Sequence, residues 1–442
     1  MRYLLALLIF TLATADVFGW TLSLAPGLSV KNAIIYVALL ALAARFVVRG
    51  GLRMELPQVH LWLGVLIVYA TLTWLAAGLL LDYPSYTLLQ SGIDLKANLL
   101  DNALVFALYL YGARTLGDAR FLLKCILLAV SGANAIAIGN VAGLFHLGIS
   151  PVGVEGNLTG RVFGAFGHAN ETAALIVCLL PAYTAAAWSS RGLERPLWIL
   201  AGVASATLMI MSGSRGAFVG LTLAVVLGSY ICRGVISWRR AAVLALILLA
   251  IIIPVMAFVS IRFGDILVSR VVEMFHDPGT SGDERLYIWR PVFDRMMVNP
   301  LAMVSGFGWA TYEVMGFIYS AHNYYLLLWF ELGIVGLGSY LLLIRSLVIT
   351  ARRAAGHASG EMQAYLIAFI YGIVGICGAI LFSVIYRPWL YAWMYFGLTM
   401  RMAVLVAQQT AVKEPTGARV ASAAAARVAR VAQRARASEG HR

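Results

Sequence analysis

Wound into a helix, about 20 predominantly apolar residues match the thickness of a bilayer's hydrocarbon core, and a chain that repeats such runs has few other folds open to it. This sequence carries twelve, near 3–22, 32–48, 59–81, 98–113, 121–147, 170–189, 196–213, 216–232, 241–260, 322–345, 363–384 and 388–407. Apolar residues make up 61% of the 442 and charged residues only 12%, whereas roughly a quarter of a soluble domain is charged. A soluble fold is therefore excluded, and so is disorder over most of the chain. The expectation is an all-α membrane protein of about twelve transmembrane helices. Nine fall within 1–260 and three within 322–407, with a long outer loop over 261–321 and a basic, disordered cytoplasmic tail over 408–442. Arg2, the apolar run behind it and Ala13-Thr14-Ala15 also fit a short signal peptide with a cleavage site. A retained signal anchor is favoured, because nothing extracellular and soluble follows.

The net charge of +13 would suggest nucleic acid in a soluble protein, but the distribution of the charges decides otherwise. With the amino terminus inside, the alternate loops collect Arg45, Arg49 and Arg53, then Arg114, Arg120 and Lys124, then Arg191 and Arg195, then Arg233, Arg239 and Arg240, then Arg345, Arg352 and Arg353. Together with Arg2 and the tail, the inner face holds 23 of the 33 Lys and Arg residues and only six of the 20 Asp and Glu. This is the positive-inside pattern. It places both termini in the cytoplasm, makes membrane lipids the partner of the basic residues and leaves no need for nucleic acid. The Ala-, Arg- and Val-rich tail reads either as a cationic helix on anionic lipid or as a solvated tail with no specific job. Cys125, Cys178, Cys232 and Cys377 lie far apart in apolar surroundings, so neither a disulfide framework nor a zinc site is suggested.

Chemistry is expected in the long outer loop and in the polar residues that reach the same face. Ser281-Gly282-Asp283-Glu284 fits a capping box that starts a helix. Leu286, Trp289, Phe293 and Met296 or Met297 then recur at helical spacing, and Asn299-Pro300 ends it. This short amphipathic helix leaves Arg285, Arg290, Asp294 and Arg295 off its apolar face; the plainer reading is an interfacial helix with ordinary solvated charges. Arg215 sits in the tight turn Ser212-Gly213-Ser214-Arg215-Gly216, on the side where an arginine is disfavoured, so it needs a partner. A guanidinium beside a helix amino terminus is an anion site, with snorkelling to headgroups as the alternative. Arg161, His168, Asn170 and Glu171 crowd the entrance of the sixth run, where Asn170 or Thr172 would serve as a cap and His168 is better read as structural. His322 opens the tenth run, and its imidazole suits proton abstraction near neutral pH. Glu331, nine residues on, falls about 180° round the helix, so it is expected to bond elsewhere, to another span.

Two or three of Arg161, Arg215 and Arg285 converging on one outer cavity would suit a diphosphate, because guanidinium forks match phosphate oxygens. A nearby His322 would then deprotonate an attacking hydroxyl, and fixed cations would take up the leaving group's charge without a metal. No cofactor is expected.

These residues resemble a known family. The twelve-run layout, the Gly213-Ser-Arg-Gly216 turn, Glu284-Arg285 with Trp289 in the long loop, Gly306-Phe-Gly-Trp309, and above all His322-Asn323 followed by Glu331-Leu-Gly-Ile-Val-Gly336 are similar to the O-antigen ligase and polymerase superfamily. The resemblance covers roughly 30–407 and is most specific near 160–340. It implies a GT-C-like glycosyltransferase of the bacterial inner membrane with a periplasmic active site and an undecaprenyl-diphosphate-linked glycan as donor. It further implies Arg215 and Arg285 at the diphosphate, Arg161 and Arg290 as further candidates, His322 as base, and His168, Asn323 and Glu331 in support, with inversion and no metal. Ligases of the family pass the glycan to lipid A core, polymerases to a second lipid-linked repeat and pilin transferases to a protein hydroxyl. Ligase leads polymerase narrowly. A transporter or flippase is the competing class, although no matching halves are visible. A metal-dependent transferase using Asp16, Asp283 and Glu284 is a second enzyme alternative.

Overall fold

The computed structural model describes residues 1–19, 23–25, 28–49, 54–81, 83–144, 162–236, 278–384 and 389–413. Apart from the two short antiparallel strands Ser23–Ala25 and Leu28–Ser29, everything regular is helical. In chain order the helices are α1 (Arg2–Phe18), α2 (Val30–Arg49), α3 (Pro57–Leu79), α4 (Leu88–Leu95), a π turn (Lys96–Leu100) leading into α5 (Asp101–Gly112), α6 (Leu116–Val141), α7 (Ala169–Ser189), α8 (Glu194–Met211), α9 (Arg215–Ile231), α10 (Pro278–Val298), α11 (Pro300–Ser305), α12 (Tyr324–His357), α13 (Gly360–Ala379) and α14 (Trp389–Lys413).

Seven of the described helices are long and apolar enough to cross a membrane: α2, α3, α6, α7, α12, α13 and α14. The chain is thus an all-α multi-pass membrane protein, with twelve spans not found among the described residues. The expected run 98–113 falls on the π turn and α5, which continue α4 in right-handed helical backbone, so the helical stretch begins earlier, at Leu88. Helices α1 and α9 have 17 residues each, α8 begins on Glu194 and Arg195, and 241–260 lies outside the described residues. An apolar run records composition, whereas a span also needs an unbroken helix of sufficient length.

Helix α13 lies against α7, α9 and α12. Its glycines allow backbones to meet: a methyl group at Gly220 of α9 would sit 2.9 Å from the Ala379 N, and one at Gly375 would sit 2.6 Å from Val177. Small residues at such crossings let helices approach without the directional help of water exclusion.

The two ends of the bundle are tied differently. At one end, cations meet carboxylates: Arg2 with Asp118 at 3.3 Å, Arg120 with Glu361 at 2.9 Å, Lys124 with Glu194 at 2.7 Å and Arg401 with Glu55 at 2.7 Å. Thr115 and Asp118 also exchange side-chain and backbone bonds in a reciprocal cap that starts α6 there. At the opposite end, residues 299–324 fold back over the helices through neutral bonds from aromatic side chains to backbone carbonyls. Tyr69 donates to the Ser305 carbonyl at 2.9 Å, Tyr86 to that of Trp309 at 2.8 Å and Trp329 to that of Met303 at 3.0 Å. A separate hydrophobic cluster built on Val292, Met296, Phe307, Tyr312 and Phe330 fills this cap.

Helix α10 starts at Pro278, so Ser281–Glu284 lie inside it and do not open it; their side chains lie outside the described residues. Its end at Val298 agrees with the Asn299-Pro300 stop. The buried seam, however, runs through Trp289, Val292 and Met296, while Leu286, Phe293 and Met297 are exposed. In a membrane protein apolar residues face lipid as well as core, so periodicity alone does not choose between two adjacent apolar stripes.

Candidate active site

The cap is held by two sequence motifs that interlock. Gly333, inside α12, has φ 61° and ψ −169°, which breaks the helix for one residue. The break frees the carbonyls of Phe330 and Glu331, and these accept from the N–H groups of Phe307 and Gly308, each at 2.9 Å. A side chain at Gly333 would strike the Val304 carbonyl, and one at Gly306 would strike the Glu331 carbonyl. Both glycines also have positive φ, which only glycine adopts at little cost. Gly306-Phe-Gly-Trp309 and Glu331-Leu-Gly333 are therefore two halves of one joint. The Glu331 carboxylate, buried in the joint, accepts from the Tyr312 N–H at 3.4 Å. Its partner is thus the returning loop and not another span, contrary to the expectation from helical position.

His322 stands where the loop re-enters the bundle. It is half-buried and left-handed, with φ 46°, a conformation uncommon for a residue with a side chain. Bonds on both sides fix it there. The Trp289 indole donates to the Ala321 carbonyl at 2.8 Å, and the Tyr324 N–H donates to the Ile380 carbonyl at 3.0 Å. Asn323 caps α12, its side chain accepting from the Leu326 N–H at 3.0 Å. That role is sufficient to explain Asn323 without a ligand.

The residue after Arg215 and the Arg285 guanidinium meet the same side chain. Ser214 caps α9, accepting from the Ala217 N–H at 3.4 Å, and leaves Arg215 half-buried as the first helical residue. Its neighbour Gly216 packs so closely on the end of α13 that an added methyl would lie 2.9 Å from the Ala379 carbonyl oxygen and 2.9 Å from the Phe382 Cβ. The Arg285 guanidinium lies 4.5 Å from the centroid of the Phe382 ring, within the distance of a cation–π contact. The connection from α13 to α14 thus packs on Gly216, the neighbour of Arg215, meets Arg285 through Phe382, and accepts from the His322 turn through Ile380.

The remaining candidates are placed as follows. Arg161 lies outside the described residues, but its neighbour Val162 donates its N–H to the Met211 carbonyl at 3.2 Å, docking that segment beside the Arg215 turn. His168 caps α7, its Nδ1 accepting from the Asn170 N–H at 3.2 Å, and Thr172 bonds back to the Phe163 carbonyl at 2.6 Å. Arg290 lies five residues beyond Arg285, about 140° round the helix. Its side chain is 86% exposed and faces Asp294 at 3.9 Å, so it is not gathered with the other two. Asp16 accepts from the Tyr391 hydroxyl at 2.6 Å. Among the described residues no three His, Cys, Asp or Glu side chains are grouped closely enough to hold a metal ion.

Two features gave no sequence signal. Phe382 is one more apolar residue in a short connection. The other is a cavity of about 340 Å3 beside the His322 turn, walled in part by Asp94, Glu313 and Glu331 with Trp309, Tyr324 and Trp389. Asp94 and Asn98 reach it because the π turn follows directly after Asp94's helix, a device common at functional sites. Asp94 accepts from the Trp309 indole at 2.9 Å and from the Asn98 amide at 2.5 Å. Burial nevertheless pushes its pKa up to about 6, against the downward pull of those bonds.

No curated protein matches the chain. Residues 200–341 match the family model described as O-antigen ligase, a stretch that contains Arg215, Arg285, both halves of the glycine joint and the His322 turn. Residues 200–341 are thus similar to the O-antigen ligase family.

Proposed function

We propose that this protein is an O-antigen ligase-type glycosyltransferase that moves a glycan from undecaprenyl diphosphate to a hydroxyl of an acceptor sugar, on lipid A core, at the periplasmic face of the bacterial inner membrane. What supports the reading is that the connection between α13 and α14 packs on Gly216 beside Arg215, meets the Arg285 guanidinium through Phe382 and accepts from the His322 turn at Ile380.

In this reading Arg215 and Arg285 grip the diphosphate. His322 takes the proton of the acceptor hydroxyl as its oxygen forms a bond to the anomeric carbon. The bond from that carbon to the diphosphate oxygen breaks, and the electron pair leaves with the diphosphate, whose new charge the two guanidinium groups stabilise. Attack opposite the leaving group inverts the anomeric centre. The positive-inside distribution of Lys and Arg supports a periplasmic site, because the cap lies at the end opposite the basic loops.

The test is the lipopolysaccharide banding of a deletion strain complemented with the wild type, His322→Ala or Arg215→Ala, with membrane levels of each variant measured alongside. A ligase requires that both variants leave lipid A core bare while lipid-linked polymer accumulates. Retention of a single capped repeat would make the enzyme a polymerase, and wild-type banding in both variants would sink the site.

A further inference from the structure

The acceptor needs a seat beside the base, and the cavity next to the His322 turn has the chemistry of one. Ala321 and Tyr324, which flank the His322-Asn323 pair, are both part of its wall. Its volume of about 340 Å3 lies in the range of small-ligand sites. Three carboxyl groups reach it from three separate elements: Asp94 from α4, Glu313 from the returning loop and Glu331 from α12. No Lys or Arg is among the described residues of the lining. Carboxyl groups gathered in this way raise one another's cost.

The other walls narrow the ligand to one class. Trp309, Tyr324 and Trp389 offer flat faces for apolar C–H surface. A sugar ring supplies the complement: hydroxyls that bond to the carboxyl groups, and a C–H face that packs on aromatic rings. A diphosphate lacks such a face.

We infer that this cavity is the acceptor subsite, and that it holds a neutral or amino sugar ring of the acceptor glycan with the reacting hydroxyl turned towards His322. The inference rests on the reading of His322 as the base. It also separates the two substrates by charge, with the donor's diphosphate among Arg215 and Arg285 and the acceptor among Asp94, Glu313 and Glu331.

The experiment uses the full chain in lipid nanodiscs with lipid-free core oligosaccharide as probe, its binding followed by saturation-transfer NMR, and transfer kinetics measured in parallel. Glu313 is exposed, so Glu313→Gln leaves the fold intact, and Trp389→Phe shrinks the aromatic face of the wall. Each variant is expected to weaken oligosaccharide binding and raise the acceptor KM about tenfold, with the donor KM unchanged. Wild-type binding in both variants would overturn the inference, as would a rise in the donor KM alone. Should the wild type transfer nothing while the variants still lose oligosaccharide binding, the sugar site would stand and the transferase reading would fall. Normal transfer and normal binding in the variants would do the reverse.

Discussion

The two ends of this bundle solve the same problem, holding helices in register, by opposite means. One end uses four ion pairs, three of them between helices; these three, Arg2–Asp118, Arg120–Glu361 and Lys124–Glu194, each have a partner at least 46% exposed. The other end spends no described ion pair on joining 299–324 to the helices and relies on backbone carbonyls, glycines and aromatic donors. The contrast shows what each end leaves available. Where cations and carboxylates are paired off, they serve the fold alone. At the cap the carboxyl groups of Asp94 and Glu331 accept from N–H groups of the returning loop and line a cavity with Glu313, while the Arg285 guanidinium stacks on Phe382.

The contrast breaks most severely at the proposed base. His322→Ala is expected to lower the rate of glycan transfer by about 10²–10⁴-fold without changing thermal unfolding, read by single-turnover assay and calorimetry of the purified protein. The next largest effect falls on the glycine joint. Gly333→Val should destabilise the protein by about 3 kcal/mol or more, because the position has φ 61° and faces the Val304 carbonyl. Gly338→Ala, on the same helix with nothing within 4 Å of its added methyl, should instead be neutral or gain up to about 1 kcal/mol; loss of stability in both alike would show that α12 merely dislikes side chains.

Asp94 sharpens the comparison through pH. Its pKa in the folded protein, about 6, lies above that of an exposed aspartate, so the folded form binds the proton more tightly. The stabilisation is fully present below about pH 4 and is lost as pH rises through 6, in all about 2–3 kcal/mol. Unfolding midpoints between pH 4 and 7 should therefore fall with rising pH, and Asp94→Asn should flatten that slope; an unchanged slope would remove Asp94 as its source. At the opposite end effects shrink. Arg401 is 12% exposed, pairs with Glu55 at 2.7 Å and donates to the Ala113 carbonyl at 2.8 Å, so Arg401→Ala should cost about 2 kcal/mol. Arg120→Ala, with a side chain 48% exposed, should cost under about 1 kcal/mol. Neither should alter the KM for donor or acceptor, and a change in either KM would show that the two ends are coupled.

Much of this division is legible in the sequence, for identifiable reasons. Helix-forming runs, the Ser214 turn and the stop at Asn299-Pro300 rest on local chemistry that neighbours in sequence decide. Gly306-Phe-Gly-Trp309 and Glu331-Leu-Gly333 are visible as motifs, but their reciprocal fit depends on a helix break that frees two carbonyls for a loop more than 20 residues away. The seam of α10 is misread by one stripe because lipid and core accept the same side chains. Arg290 needed only the arithmetic of the helix, which turns it well away from Arg285. Asp94 gave no warning at all: it lies seven residues ahead of α5, and only the π turn and the folded-back Trp309 make it part of a cavity.

The most direct measurement is the affinity of the purified protein for undecaprenyl diphosphate in the wild type, Arg215→Ala, Arg285→Ala and the double variant. If both guanidinium groups hold one diphosphate, each single variant should weaken binding by about tenfold or more, and the double variant should lose less than the product of the two, since the groups share a ligand. Wild-type affinity in either single variant would contradict a diphosphate site shared by Arg215 and Arg285.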